Sequence, residues 1–205
     1  DWAAERGLLA VPGERSSHRV ATPTGGGVVI VVVTIAGVVC AWLLRPDWNL
    51  PGLLAFLIAA ALVAAVGWLD DMHALPADLR FGVQAVAALA IILRVGAFER
   101  IALFGSGNLF LGWFGYPLTF LWVVGLINAF NFMDGIDGNA AGIGAVAGAM
   151  WALVSWRLGQ PLLATLGLLL LAACLGFLGH NWQPARIFMG DVGSTFLGVT
   201  FAVMP

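Results

Sequence analysis

The chain has 205 residues, of which 61% are hydrophobic and only 10% are charged. A soluble domain carries roughly 45–50% apolar and about 25% charged residues, so this composition excludes a soluble protein and predicts an integral membrane protein. Nine basic residues against eleven acidic ones give a formal charge of −2. Because nucleic-acid-binding domains present a basic surface, nucleic acid is excluded as a partner.

Seven apolar segments follow one another along the chain. A bilayer core of ~30 Å needs about 20 helical residues, and lipid satisfies no backbone hydrogen bonds, so runs of this kind form helices. We therefore predict an all-α, polytopic transmembrane bundle, and we expect 1–205 to be a single membrane domain that is incomplete at both ends. The predicted spans are 25–44, 51–69, 79–98, 117–130, 140–156, 161–179 and 192–205, and the last is expected to continue past residue 205.

The connections between these spans differ sharply in polarity. If every span crosses the membrane, the loops 70–78, 128–139 and 180–191 lie on the same side as residues 1–24, together with nine of the eleven acids. The opposite side receives the connection 99–116, whose glycines alternate with Leu, Phe and Trp and predict a small hairpin or interfacial loop. The sequence thus predicts one polar site at one membrane surface.

The first polar loop contains two adjacent carboxylates, Asp70 and Asp71, where the second span ends. Acids at a helix C-terminus oppose the helix dipole, so simple solvation of a helix end is a poor explanation for them. Paired carboxylates are typical of a site for a hard cation such as Mg²⁺ or of a general base.

The second polar loop carries two amides and two acids at three-residue spacing, Asn128, Asn131, Asp134 and Asp137. Residues at this spacing lie along one stripe of a helix end. A polar helix cap is the alternative explanation, but four polar side chains at the foot of an apolar helix are expensive in lipid. We therefore interpret the stripe as part of the site.

The third polar loop ends in Gly190-Asp191-Val-Gly-Ser, a turn that opens a helix. A helix N-terminus offers backbone N–H groups to an anion. Asp191 is suited to hold a metal that bridges phosphates, with an ordinary N-cap as the alternative. Phe188 is suited to stack on a base, or else faces lipid or the core. Arg19 and Thr24, ahead of the first span, are suited to contact phosphate, with a basic juxtamembrane flank as the alternative.

Taken together, Asp70-Asp71, the Asn131-x-x-Asp134-Gly-Ile-Asp137 pattern and Phe188-Met-Gly-Asp191-x-Gly-Ser resemble the polyprenyl-phosphate N-acetylhexosamine-1-phosphate transferases. This family includes phospho-N-acetylmuramoyl-pentapeptide transferase and the enzymes that initiate O-antigen synthesis, and the pattern is closer to the latter branch. The resemblance implies ten or eleven transmembrane helices, about seven of them in this chain, and a non-cytoplasmic hairpin near 99–116. It also implies a multi-pass protein of the bacterial inner membrane with a Mg²⁺-dependent site, or one using Mn²⁺, that faces the cytoplasm.

The resemblance further implies a reaction: transfer of N-acetylhexosamine-1-phosphate from a UDP-sugar to undecaprenyl phosphate, with release of UMP. It makes Asp191 the principal metal ligand with Asp71 beside the metal, and it makes Asp70 the residue that engages or deprotonates the lipid phosphate. We expect Asp70, Asp71, Asp134 and Asp137 to act in catalysis. The expected substrate-binding residues are Arg19, Thr24, Asn128, Asn131, Asn181 and Phe188. A homodimer is left open.

Other classes of protein fit the sequence less well or differ from this family in a single feature. A peptidoglycan-branch transferase uses the same site with a different UDP-sugar. A transporter would carry its acids near the bilayer midplane, whereas these lie at helix ends. An inactive scaffold would not need the complete set of carboxylates, and the CDP-alcohol phosphotransferases require an Ala-Arg after an Asp-Gly that is absent after Asp134 and Asp137.

Overall fold

A computed structural model of the chain describes residues 9–10, 21–45, 50–103 and 107–204, and these are mainly helical. The described part contains seven α-helices, which confirms the predicted all-α bundle. Their bounds are α1 Val28–Leu44, α2 Leu50–Met72, α3 Ala77–Arg94, α4 Gly115–Met133, α5 Asn139–Arg157, α6 Pro161–Asn181 and α7 Gly190–Ala202.

The helices differ in their capacity to cross a bilayer. Among the described residues, four stretches are long and apolar enough to do so, namely Pro51–Met72, Gly112–Met133, Asn139–Arg157 and Pro161–Asn181, and α1 is a shorter apolar helix. With these helices the chain is a multi-pass membrane protein. Helix α3, with 18 residues, carries charges near both ends, including Arg80 and Arg94.

Helix α7 is unlike the others because it is short and central. It has 13 residues, and every one from Val192 to Ala202 is buried. At 1.5 Å per residue it is about 20 Å long, less than the apolar thickness of a bilayer. Helix α7 ends at Ala202, so the expectation that it continues past residue 205 is wrong. Met204 precedes a proline, and the position before a proline disfavours helical backbone.

Glycines bring α7 into backbone contact with three neighbours. A Cβ atom added at Gly27 would lie 2.4 Å from Cα of Gly193, and one added at Gly67 would lie 2.6 Å from the carbonyl oxygen of Asp191. Further along, one added at Gly198 would lie 2.5 Å from Cα of Ile127. Such distances admit no side chain, so these glycines set how closely α7 approaches α1, α2 and α4.

Two antiparallel pairs of strands flank the bundle. β1 (Leu9–Ala10) pairs with β2 (Thr22–Pro23), and β3 (Arg100–Leu103) pairs with β4 (Gly107–Phe110). The second pair confirms the hairpin predicted between residues 99 and 116. It connects α3 to α4 at the end of the bundle away from Asp70 and Asp71.

Candidate active site

The ends of four helices meet at one end of the bundle and bring the predicted acidic residues together. Asp70 and Asp71 lie in the last turn of α2, Arg80 in the first turn of α3, Asn131 in the last turn of α4, and Asp191 in the first turn of α7. Hydrogen bonds connect all four helices at this point. The predicted convergence of the three polar loops is therefore observed in the structure.

Asp191 lies at the centre of this network. Its Oδ1 accepts a hydrogen bond from Nδ2 of Asn131 at 2.7 Å, and its Oδ2 lies 3.5 Å from Nη1 of Arg80. The Asn131 amide also donates to Oγ of Ser194 at 3.2 Å. The Asp191 carboxylate is thus oriented from two sides by α4 and α3, while part of it stays accessible from solvent, with 28% of the side chain exposed.

Arg80 joins Asp70 to the same network. Its Nη1 donates to Oδ2 of Asp70 at 2.7 Å, and the Leu75 amide donates to Oδ1 of Asp70 at 2.6 Å. Arg80 therefore bridges two carboxylates from different helices. Arg80 is not among the site residues predicted from the sequence, although its place at the polar start of α3 and the need of the acids for a countercharge are both visible there.

Asp71 contacts the start of α7 rather than open solvent. Its Oδ1 accepts a hydrogen bond from the Asp191 amide at 2.8 Å, and its Oδ2 accepts one from the Val192 amide at 3.1 Å. The sequence predicts that this helix N-terminus binds an anion, and the structure shows that the anion bound by these two amides is a carboxylate of the same chain.

Asp134 follows α4 directly and faces the other acids. Burial away from water raises the pKa of the Asp134 carboxyl to about 8, assisted by the negative charges of Asp191, Asp71 and Asp137 and opposed by a hydrogen bond from the Gly190 amide. Burial is also the largest cause of a raised pKa at Asp191, where the hydrogen bond from Asn131 opposes the shift. Several carboxylates thus share a confined space with one arginine, an arrangement that favours an added cation.

Asp137 and Asn181 hold the polar loops against each other. Oδ2 of Asp137 accepts a hydrogen bond from the Ala185 amide at 3.0 Å, while Asn181 accepts one from the Gly138 amide at 3.0 Å and donates to the Ile187 carbonyl at 2.9 Å. Gly138 has φ of +73°, which glycine adopts without strain. Asn181 is only 2% exposed, so its amide is used within the protein and its expected substrate contact stays a prediction.

The segment ahead of α1 runs beside the segment ahead of α7. The Phe188 amide donates to the Pro23 carbonyl at 2.8 Å, and the Gly26 amide donates to the Phe188 carbonyl at 3.0 Å. This pairing places Thr24 beside the segment that leads into α7, and Thr24 lines an apolar groove together with Trp68. The expected contact of Thr24 with phosphate stays a prediction. Arg19 lies outside the described residues, so its expected phosphate contact stays a prediction.

Asn128 lies one helical turn before Asn131 and takes part in a different contact. Its Nδ2 donates to Oε1 of Gln84 at 2.7 Å and to the Val124 carbonyl at 2.8 Å. This polar pair joins α4 to α3 next to the acidic network. The expected contact of Asn128 with substrate stays a prediction.

The acidic network is the part of the described structure whose side chains could contribute to a site for a divalent cation. Among the residues that the structure describes, no three His, Cys, Asp or Glu side chains form a group that encloses a metal ion. Mg²⁺, however, is usually held by one or two carboxylates together with substrate phosphates and water. Asp191 and Asp70, whose Oδ2 atoms both contact Nη1 of Arg80, could offer such carboxylates. The Asp71 carboxylate faces the first turn of α7, and its expected contact with a metal stays a prediction.

Comparison with known proteins relates the chain to membrane sugar-phosphate transferases. The chain is 35% identical over 205 residues to a probable undecaprenyl-phosphate N-acetylglucosaminyl 1-phosphate transferase of Bacillus subtilis (strain 168). This match covers 98% of this chain and 56% of that protein. A phospho-N-acetylmuramoyl-pentapeptide-transferase of Synechococcus sp. (strain JA-3-3Ab) is 37% identical, with 98% and 60% covered. An undecaprenyl-phosphate alpha-N-acetylglucosaminyl 1-phosphate transferase of Salmonella typhi is 36% identical, with 97% and 54% covered.

The chain spans a little over half the length of these curated relatives. The model of the glycosyl transferase family 4 matches residues 53–205, a range that contains most of α2, all of α3 to α7 and every carboxylate of the acidic network. The chain therefore belongs to glycosyl transferase family 4.

Proposed function

We propose that the protein transfers N-acetylhexosamine-1-phosphate from a UDP-sugar to undecaprenyl phosphate, forming a lipid-diphosphate-sugar and UMP. The observation that carries the proposal is the network in which Arg80 and Asn131 hold Asp191 beside Asp70 at the polar end of a membrane bundle. The names of the relatives describe transfers of this kind to polyprenyl phosphates. Phospho-N-acetylmuramoyl-pentapeptide transfer is the alternative within the same chemistry.

The physical problem of this reaction is that two anions must meet. An oxygen of the lipid phosphate attacks the β-phosphorus of the UDP-sugar, the bond from this phosphorus to the bridging oxygen breaks, and UMP leaves with that oxygen. The sugar C1–O bond is untouched, so the anomeric configuration is retained. A bound Mg²⁺ would supply positive charge to the diphosphate. In our proposal Asp191 is its principal protein ligand, and Mn²⁺ is the alternative ion.

Arg80 adds fixed positive charge at the point where the acceptor phosphate must approach. Its guanidinium contacts Asp70 at 2.7 Å and lies 3.5 Å from Asp191. A guanidinium can contact a phosphate and a carboxylate at the same time because it presents five N–H donors. We therefore assign Arg80 the task of screening the lipid phosphate from the carboxylates.

Asp70 is assigned to orient rather than to deprotonate the acceptor. A phosphate monoester has a second pKa of about 6, so it is largely dianionic at neutral pH and needs no base. Asp70 already accepts hydrogen bonds from the Leu75 amide and from Arg80, which fixes the direction of its carboxylate. If it orients, Asp70→Asn loses activity at every pH; if it is a base, the activity of the variant recovers as the pH rises.

The nucleotide end of the donor is assigned to the loops that follow α4 and α6. Asp137 is tied to the Ala185 amide, and beside it a cleft of about 630 Å³ is lined by Asp137, Asn139, Trp182 and Gln183. In this assignment Phe188 stacks on the base, and Asn131 and Asp134 face the diphosphate. The protein would act in the bacterial inner membrane with this end of the bundle toward the cytoplasm.

The experiment that tests the proposal is UMP release by the intact protein in the presence of Mg²⁺, undecaprenyl phosphate and a series of UDP-N-acetylhexosamines. We expect release that requires both the metal and the lipid phosphate, and we expect Asp191→Asn to abolish it. Preference for one UDP-sugar would distinguish the O-antigen-type reaction from the peptidoglycan one. Release of UMP without undecaprenyl phosphate would replace the transferase by a hydrolase.

A further inference from the structure

Asp71 has a contact pattern that neither a metal ligand nor a general base requires. Each of its two oxygens accepts one backbone hydrogen bond from the first turn of α7, at 2.8 Å from the Asp191 amide and at 3.1 Å from the Val192 amide. The first amides of a helix have no partner within the helix. The Asp71 carboxylate supplies the missing acceptor for two of them.

This arrangement is also favourable electrostatically. Asp71 lies in the last turn of α2, where the negative end of the helix dipole opposes a carboxylate. The positive N-terminus of α7 compensates it, since an anion is stabilised at that end of a helix. The two helices are therefore joined end to end by one carboxylate.

The backbone around Asp71 leaves no room for another arrangement. Gly190 has φ of +75°, and a Cβ atom at this position would lie 2.6 Å from Oδ2 of Asp71. Gly67, one turn earlier in α2, contacts the carbonyl oxygen of Asp191, where a Cβ atom would lie 2.6 Å away. Asp191 is thus held at its backbone amide by Asp71, and its backbone carbonyl packs against Gly67.

We propose that Asp71 is a positioning residue, which clamps the N-terminus of α7 and thereby sets the direction in which Asp191 projects into the site. This inference rests on the proposed function for the importance of Asp191, but the clamp itself is independent of it. A shift of the first turn of α7 would move Asp191 away from Asn131 and Arg80, which approach it from α4 and α3.

The clamp is tested by hydrogen exchange of the amides of residues 191 and 192 in the metal-free, intact protein. Asp71→Asn removes the charge and turns one acceptor into a donor at nearly constant volume. We expect these two amides to exchange about tenfold faster in this variant, since loss of a charge-assisted hydrogen bond corresponds to roughly that factor. The control is Asp78→Asn, which removes an exposed carboxylate from the first turn of α3 that makes no hydrogen bond to α7 among the described residues, and it should leave this exchange unchanged. Asp71→Ala serves as a second variant.

A second measurement separates positioning from metal ligation. For Asp71→Asn we expect the turnover rate to fall at least about tenfold. We also expect the dissociation constant for Mg²⁺, measured by titration calorimetry on the purified protein, to rise less than in Asp191→Asn, because Asp71→Asn displaces the proposed metal ligand whereas Asp191→Asn removes it. Unchanged amide exchange in Asp71→Asn, or Mg²⁺ binding weakened as much as in Asp191→Asn, would overturn the proposal. If neither the wild-type protein nor any variant releases UMP, the hydrogen-exchange experiment still tests whether Asp71 holds the N-terminus of α7.

Discussion

At the scale of single residues, the sequence predicted which acids share a site but not how they are used. Asp70, Asp71 and Asp191 were expected to meet, and they do. Their spacing along the chain carries no information on which carboxylate faces a backbone amide and which faces a guanidinium, because this depends on the rotation of α7 relative to α2. For the same reason the sequence places Arg80 at the polar start of α3 but does not predict its contacts within the network.

Arg80 provides the first prediction. Arg80→Met should lower the turnover rate by about 10²-fold, because a preorganised charge that contacts a transferring phosphoryl group is worth roughly that much. Arg80→Lys should recover part of the loss, since it keeps the charge without the two-sided geometry. The control is Arg94→Met at the opposite end of α3, which should retain full activity in the UMP release assay. Equal losses in Arg80→Met and Arg94→Met would argue against a local role.

The raised pKa of Asp134 gives a pH dependence of stability. Its folded-state pKa is about 8 against an ordinary value of 3.8, so between these two values the folded protein binds more protons than the unfolded chain. The stability of the metal-free protein should therefore fall as the pH rises from about 5 to 8. In Asp134→Asn this part of the slope should disappear. Thermal unfolding in detergent at several pH values measures it, and equal slopes in the two proteins would contradict the shift.

At the scale of elements, most helices lie where the apolar segments predicted them, and the differences have local causes. Helix α6 was expected to end near residue 179 and continues to Asn181, whose side chain bonds to the loops on both sides. The short length and central place of α7 could not be read from its composition, because a buried helix and a transmembrane helix are equally apolar. What distinguishes α7 is backbone contact through glycines on neighbouring helices.

These glycine contacts give a prediction for α7. Gly27→Ala would place a methyl group 2.4 Å from Cα of Gly193, a backbone atom that has no freedom to move aside. We expect a loss of stability of about 3 kcal/mol, at the upper end of typical overpacking. The control is Gly82→Ala in α3, where a Cβ atom meets nothing within 4 Å, and where the higher helix propensity of alanine should stabilise slightly. The midpoints of thermal unfolding compare the two, and a tolerated Gly27→Ala would show that α7 is not fixed there.

At the scale of the whole molecule, the sequence was sufficient to predict that the polar loops meet at one end of the helical bundle. Alternation of the loops put nine of eleven acids on one side, and the helices that carry Asp71, Asp134 and Asp191 end or begin at the same end of the bundle. The sequence of a membrane protein shows which segments lie outside the lipid, because loops that contact water are polar and segments within the lipid are apolar. The central claim is that this single polar end forms one site.

Labelling of single cysteines tests that claim most directly. In a background with Cys40 and Cys174 replaced, cysteines are introduced at exposed positions, namely His73→Cys, Gly135→Cys and Arg186→Cys at the polar end, and Phe110→Cys and Leu158→Cys at the other. With a membrane-impermeant maleimide on sealed vesicles of known orientation, we expect the first three to react from one side and the last two from the opposite side. Reaction of residue 73, 135 or 186 from the side of residues 110 and 158 would contradict a single site.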